Sequence, residues 1–456
     1  MTRQSTEMAL LLAGFLSLLM IVGNRSLAAV TIHVDAADTT SDAGGCGTIV
    51  NPCNTIQNGV DNATAGDTVQ VAAGIYTETV NINKSLTLLG AQDGIDGRTR
   101  STPGAESVVN GSAGGFNISA SNVSLDGFMI EDASAPAVKV TGPIDGIQIL
   151  NNILRDNTFG LYFNHGGDAQ VVKFNLFDSN NGAGTNSGTG IYSDSASFAD
   201  SLENSLIDDN KFTGHNTAAI FLDGFQFNIS ISNNQLVDDS SIILQNVTAP
   251  LINGNTISGS NSDAVRLIGG VDGTIMTCNT IENSVGSALR VAGTATNISV
   301  NENNIQGNLF GIKLDPGVYN TASGRLDATN NWWGSATGPN DIQGGNPGGT
   351  GDKIDDPDEI VDYVPFYTAR IPDTDGDGEL NNCDADDDND TVLDAVDNCP
   401  LTPNPNQEDW DSDGIGDSCD PPDNKDQCKN GQWQNFIFPR RFNNQGDCVS
   451  YVENTH

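Results

Sequence analysis

Positive charge is scarce: the 456-residue chain has 19 Lys and Arg against 59 Asp and Glu, a net charge of −40. That balance excludes a nucleic-acid partner, because binding phosphate needs a basic surface. With 4 His and 5 Met, the chain is not a His- or Met-rich metal carrier. Charged residues are only 17% of the total against 37% hydrophobic, which excludes a charge-rich disordered chain. Long apolar runs are lacking too, except Met8 to Val22, which follows Arg3 and precedes Ser26-Leu27-Ala28-Ala29. A basic start, an apolar stretch of about 15 residues and small residues at Ser26 and Ala28 predict a secretory signal peptide over residues 1–28. Spanning a bilayer takes ~20 apolar residues. The mature chain is expected to be secreted or at the cell surface, without a membrane span, and monomeric.

Eight cysteines fit export, where disulfides persist. Cys46 and Cys53 share a loop and are expected to form a local staple. Cys278 stands alone, and Cys383, Cys399, Cys419, Cys428 and Cys448 crowd the end. Five is odd, so one of these is free or pairs elsewhere; a Cys428–Cys448 staple around Trp433 is one expectation.

The middle of the chain repeats. Asn-x-apolar triplets begin at Asn151, Asn175, Asn210, Asn234, Asn255, Asn279 and Asn303, at intervals of 24, 35, 24, 21, 24 and 24. About ten residues after most of them comes a small residue and a short alternating strand, as in Gly160-Leu161-Tyr162-Phe163 and Ala288-Leu289-Arg290-Val291. A fixed period with Asn and Gly at the corners predicts a solenoid. Leucine-rich frames are missing, so the expected fold is all-β: a parallel β-helix of roughly ten coils between Asp67 and Trp333. Asn is expected to take the left-handed conformation at a bend and to bond its copy on the next coil.

Cys53-Asn54-Thr55-Ile56-Gln57, through Gly66-Asp67-Thr68-Val69 to Gly74-Ile75-Tyr76, resembles the amino-terminal cap and first coil of the right-handed parallel β-helix, or pectin-lyase-like, superfamily. Asn330-Asn331-Trp332-Trp333-Gly334 through Gly338-Pro339 resembles the segment that often closes such helices in secreted bacterial proteins. The resemblance covers residues 29–370 and implies the fold. It does not imply one activity, since lyases, hydrolases, esterases, epimerases and non-catalytic surface proteins share it.

Between Asp373 and Asp426 there are 19 Asp and Glu and one Lys, so these residues carry −18 of the net charge. Acidic side chains recur at every second position in three runs: Asp373, Asp375, Asp377; Asp386, Asp388, Asp390; and Asp409, Asp411, Asp413. That spacing lets three carboxylates converge on one hard cation, calcium rather than magnesium. With Asp394, Asp397-Asn398-Cys399-Pro400 and Asp417-Ser418-Cys419, the segment 371–424 resembles thrombospondin type 3 repeats. The resemblance implies a calcium-loaded, disulfide-linked rod. Thr391 stands where the middle run would carry Gly, which is expected to weaken that site. Residues 425–456 resemble a short Cys-closed tail found on many exported bacterial proteins.

Counting from each Asn puts Lys139, Tyr162, Tyr192, Phe221, Ile243, Arg266, Arg290 and Lys313 in one outward column. Thr141, Asn164, Asp194, Asp223, Gln245, Ile268, Ala292 and Asp315 form the next. Aromatic faces stack on sugars and guanidinium forks pair with carboxylates or sulfates. Tyr162, Tyr192, Phe221, Arg266, Arg290 and Lys313 are therefore candidate contacts to an extracellular polysaccharide, an acidic one on the charge argument. The competing reading is that an outer strand face simply favours such residues. Asp194 and Asp223, on adjacent coils ~5 Å apart, are the candidate catalytic carboxylates, with His165 near them and loops at 179–188 and 195–206 to wall a cleft. The motif sets of polygalacturonases, alginate epimerases and pectate lyases are absent. The expected function is that of a calcium-binding protein that binds extracellular polysaccharide in an adhesion or matrix role, with a polysaccharide lyase, hydrolase or epimerase as the alternative.

Overall fold

The computed structural model describes residues 29–455 except 39–41, 43–44, 101–104, 112–113, 165, 185–186, 196–200, 342, 344 and 411. The predicted signal peptide, His165 and Asp411 thus lie outside the described residues. Short strands form three parallel sheets: sheet I of 13 strands from Thr31–Val34 to Val361–Asp362, sheet II of 14, and sheet III of 10 from Gly74–Tyr76 to Asn304–Gln306. Each coil contributes one strand to each sheet in turn. The chain is a right-handed parallel β-helix, the hand that right-twisted strands favour.

Its interior consists of aligned columns. In sheet I, Leu125, Ile149, Val172, Ile207, Ile231, Ile252, Met276 and Val300 pair one above another, and all are buried. In sheet III, Phe177 and Phe212 stack with ring centroids 4.8 Å apart and planes 5° from parallel.

Between sheets I and III runs an interior ladder of Asn152, Asn175, Asn210, Asn234, Asn255, Asn279, Asn303 and Asn331, all fully buried. Each Nδ2 donates to the Oδ1 of the next at 2.9–3.2 Å. The first member is Asn152 rather than Asn151. The bend and the ladder are also separate duties. The left-handed backbone belongs to the preceding residue on each coil, Asn151, Phe174, Asp209, Asn233, Gly254, Cys278, Glu302 and Asn330, at φ between 52° and 64°. The ladder Asn points inward, and its neighbour makes the corner.

Both ends are closed. At the N-terminal end the helix Ile56–Asn62 is capped by Thr55. The Glu78 carboxylate accepts from the Ile56 and Gln57 N–H groups, and Lys84 Nζ donates to the Val60 and Ala63 carbonyls. These bonds satisfy the orphan groups at both helix ends. At the other end Trp333 is fully buried against Gly311, where a Cβ would lie 2.7 Å from the indole. Gly351–Asp355 then pairs with Phe310–Leu314.

All eight cysteines are paired. Cys46–Cys53, Cys399–Cys419 and Cys428–Cys448 are local, while Cys278–Cys383 spans 105 residues. The odd tail cysteine, Cys383, joins the lone one in the β-helix. The tail ends in the helix Gln445–Thr455, whose Cys448 and Val452 pack with Phe436 and Phe442 in a core separate from that of the solenoid. Among the described residues no helix is long and apolar enough to cross a membrane.

Candidate functional site

Two regions carry chemistry: the outer face of sheet II and the acidic segment. Strand pairing puts Lys139, Tyr162, Tyr192, Phe221, Ile243, Arg266, Arg290 and Lys313 in one column. Thr141, Asn164, Asp194, Asp223 and Gln245 align two residues on. The register inferred from the repeat is the register of the sheet.

The aromatic rings are engaged with one another. Phe159, Tyr162 and Tyr192 form a stacked set with centroids 5.4–5.7 Å apart, and Tyr192 is only 5% exposed. Tyr162 and Phe221 are half-buried and flank it. Tyr192 thus supports its neighbours more than it offers a free face.

Two of the four cations of the column have carboxylate partners, and a third, Lys139, lies over the Tyr162 ring. Arg290 lies 3.2 Å from Asp315 and 3.8 Å from Asp263, and Lys313 lies 3.6 Å from Asp355. Asp355 comes from a strand about forty residues later in the chain, so sequence spacing could not reveal that pair. Arg266 differs: among the described residues it has no ion-pair partner, and its Nε is buried without a hydrogen bond.

The candidate catalytic carboxylates lie on paired positions of adjacent strands. The Tyr162 hydroxyl is 3.0 Å from both Asp194 Oδ2 and Asn164 Oδ1. Asp194 Oδ1 is buried with no partner among the described residues. Burial, and then the Asp194 charge, push the Tyr162 hydroxyl well above its ordinary range, so it stays a proton donor. Burial also raises the Asp223 carboxyl; the Gly224 N–H opposes this and Asp194 adds to it. A half-buried carboxyl of raised pKa beside a second carboxylate is an arrangement that can move protons.

In the acidic segment, Asp373, Asp375 and Asp377 each bring one oxygen within 4.8 Å of the others, as do Asp386, Asp388 and Asp390. Such a set can hold a metal ion. Asp388 is 6% exposed, and neither its Oδ2 nor the buried Asp397 Oδ2 has a hydrogen-bond partner among the described residues, which leaves both oxygens able to take a cation. Burial raises the Asp373 carboxyl, with Asp375 and Asp377 adding to it.

The third run shares the frame of the other two. In each, the residue eight positions on accepts from the N–H after the first Asp: Asn381 from Thr374, Asp394 from Asp387, and Asp417 from Trp410, at 2.9–3.0 Å. The sequence reading assigned Asp394 and Asp417 to the sites but passed over Asn381, which counting eight from Asp373 would have found. Gly378, Thr391 and Gly414 occupy one position of the frame, at φ 106°, 82° and 97°. Thr391 adopts the glycine conformation, and the middle carboxylates still converge.

Residues 372–407 match the family model of the thrombospondin type 3 repeat. No curated protein matches the chain. Among solved structures it is similar to an alginate lyase from Paenibacillus sp. str. FPU-7, at 16% identity over 64% of this chain and 99% of that one, TM-score 0.47. It is similar to pectate lyase Pel9A at 11% identity, over 76% of this chain and 82% of that one, TM-score 0.43. A mannuronic acid-specific polysaccharide family 6 lyase from human gut microbiota is 12% identical, over 75% of this chain and 92% of that one, TM-score 0.42. The matched repeat family covers the first two acidic runs, and the role of the β-helix face has to be argued from its own residues.

Proposed function

We propose that this is an exported calcium-binding β-helix protein that binds an acidic extracellular polysaccharide along the outer face of sheet II, in an adhesion or matrix role. The observation that carries this reading is Arg266. On a chain of net charge −40, it is a cation without a carboxylate partner among the described residues, in a column that continues through Arg290 and Lys313. A guanidinium so placed favours an incoming carboxylate or sulfate, since the fork pairs such groups bidentately. Tyr162 and Phe221, further along the column, supply apolar faces for sugar rings. Columns spaced ~4.8 Å per coil suit a linear polymer that repeats the same contact.

Calcium fills the acidic loops. Asp373, Asp375 and Asp377 form one cage and Asp386, Asp388 and Asp390 another, with Asp394 and Asp397 completing it. Asp409, Asp413 and Asp417 belong to the third, to which the sequence spacing adds Asp411. Oxygen-only donor sets at this spacing suit a large, flexibly coordinated divalent ion. Four disulfides accord with an extracellular setting.

A second reading rests on Asp194 Oδ1, a buried carboxylate oxygen without a partner among the described residues, beside Tyr162 and Asp223. It makes the protein a lyase, hydrolase or epimerase acting on that strip. The two readings separate when the mature chain with calcium is incubated with a panel of uronic and neutral polysaccharides. Retention without shortening or unsaturated ends, together with unchanged epimer content, supports binding alone. Shortened chains support the enzyme, and a double Asp194→Asn, Asp223→Asn variant that keeps full turnover removes those carboxylates from the assignment.

A further inference from the structure

The left-handed corner residues between sheets I and III form a rail on the outside of the β-helix, and two separate segments dock on it. The first is the loop after Leu89. There Gly97 N–H donates to the Phe174 carbonyl, Arg98 stacks over Phe174 and pairs with Asp209, and Arg100 donates to the Asn151 carbonyl. Further along, the rail is taken by the acidic segment, which folds back onto the β-helix instead of standing away as a spacer.

Its anchors are specific. Ile371 and Asn304 exchange two hydrogen bonds, at 2.8 and 3.0 Å. Arg370 pairs with Glu282 at 2.8 Å. Glu302, a rail residue, accepts from Tyr367 and from Asn382, and Cys278, the next rail residue, is bonded to Cys383. Beyond these anchors the charges oppose one another. Asp377, Gly378 and Glu379 of the first acidic loop line one cleft of about 220 Å³ with Arg98, with Asp209 and Asn233 of the rail, and with Gln235 and Thr256 beside it. Arg98 and Lys173 are already engaged with Asp96, Asp208 and Asp209. The loop that meets the rail thus brings Asp377 and Glu379 to a patch where Arg98 and Lys173 already face three carboxylates, Asp96, Asp208 and Asp209, so negative charge is in excess.

We infer that the first acidic loop is a calcium-operated clamp. With an ion on Asp373, Asp375 and Asp377 the loop, Glu379 included, falls from four negative charges to two and lies on the rail at Asn233–Thr256. Without the ion it lifts, held near by the Cys278–Cys383 bond. This inference rests on calcium occupying the loops and goes beyond it in assigning the ion a docking role. Like charges at short range repel, and one bound divalent ion weakens that repulsion by cancelling two of the loop's charges.

The test is reduction of Cys278–Cys383 in the full mature chain by a phosphine reductant, with calcium or with EGTA. Alkylation and peptide mapping read each disulfide separately, with Cys46–Cys53 as internal reference. Chelation is expected to speed reduction of Cys278–Cys383 at least tenfold and to leave Cys46–Cys53 unchanged. In an Asp209→Asn, Glu379→Gln variant the ratio is expected to shrink several-fold, because the undocking force has been removed. Equal rates with and without calcium, in a protein that takes up calcium by calorimetry, would overturn the clamp alone. No calcium uptake would overturn the calcium reading and the clamp with it. A variant ratio equal to that of the parent would show that repulsion at Asp209 is not what lifts the loop.

Discussion

Along the β-helix a buried amide stands on each coil; along residues 373–417 carboxylates recur at every second position. Both series must satisfy side-chain oxygens at each turn of a repeating backbone, and they do so by different chemistry. An Asn both donates and accepts, so Asn234 can give its N–H to Asn255 and take one from Asn210, and the column completes itself. A carboxylate only accepts. Its column has to be completed by something from outside, and a cation is the economical choice. Where Asp does enter an interior column, donors meet it: Asp239 faces His215, and Asp352 accepts from Gly307 and Asn308. One region therefore carries its stability in its own sequence, and on the proposed calcium reading the other takes it from the medium.

The most damaging way to confuse the two chemistries is Asn234→Asp. It removes the donor toward Asn255 and buries a charge without a counter-ion, so unfolding by guanidinium should show a loss of at least about 3 kcal/mol or failure to fold. The converse change, Asp375→Asn, should weaken calcium uptake by calorimetry and leave the β-helix melting temperature within about 2 °C of the parent. An equal loss in both variants would erase the distinction.

A pH experiment sharpens the comparison. Burial, and then the neighbouring Asp394, push the Asp387 carboxyl up to about 6, although Asn381 opposes the shift. A carboxyl raised in the folded state favours folding when protonated, below its unfolded value of about 3.9, and that contribution is lost as pH rises through about 6. In EGTA the acidic segment should therefore resist proteolysis better at pH 5 than at pH 7. With calcium the order should reverse, because protons compete with the ion. The smallest expected effect is that of Thr391→Gly. Relieving a β-branched residue at φ 82° gives back about 1 kcal/mol net of the added chain entropy, a gain of up to ~5-fold in calcium affinity at the middle loop.

What the sequence made legible follows from the same contrast. The Asn frame and its intervals predict the coils, the sheet II register and the columns from Lys139 to Lys313, because a solenoid turns sequence period directly into neighbourhood. The offset between Asn151 and Asn152 escaped because two adjacent Asn residues share one triplet, and only the backbone tells which one turns the corner. Long-range partners escaped for a different reason. Cys278–Cys383, Lys313–Asp355 and the docking of Glu302 with Asn382 depend on a chain that reverses after the last coil, and no period encodes that reversal. Nor does an outward register position report exposure: Tyr192 points outward and is covered by its own neighbours.

The measurement closest to the central claim is affinity of the parent and an Arg266→Ala variant for a defined oligouronate, by calorimetry in calcium, with melting temperature recorded alongside. The account predicts binding by the parent and a loss of tenfold or more in the variant, with melting unchanged. Equal affinity in both proteins, or binding that does not distinguish oligouronate from a neutral oligosaccharide, would contradict it.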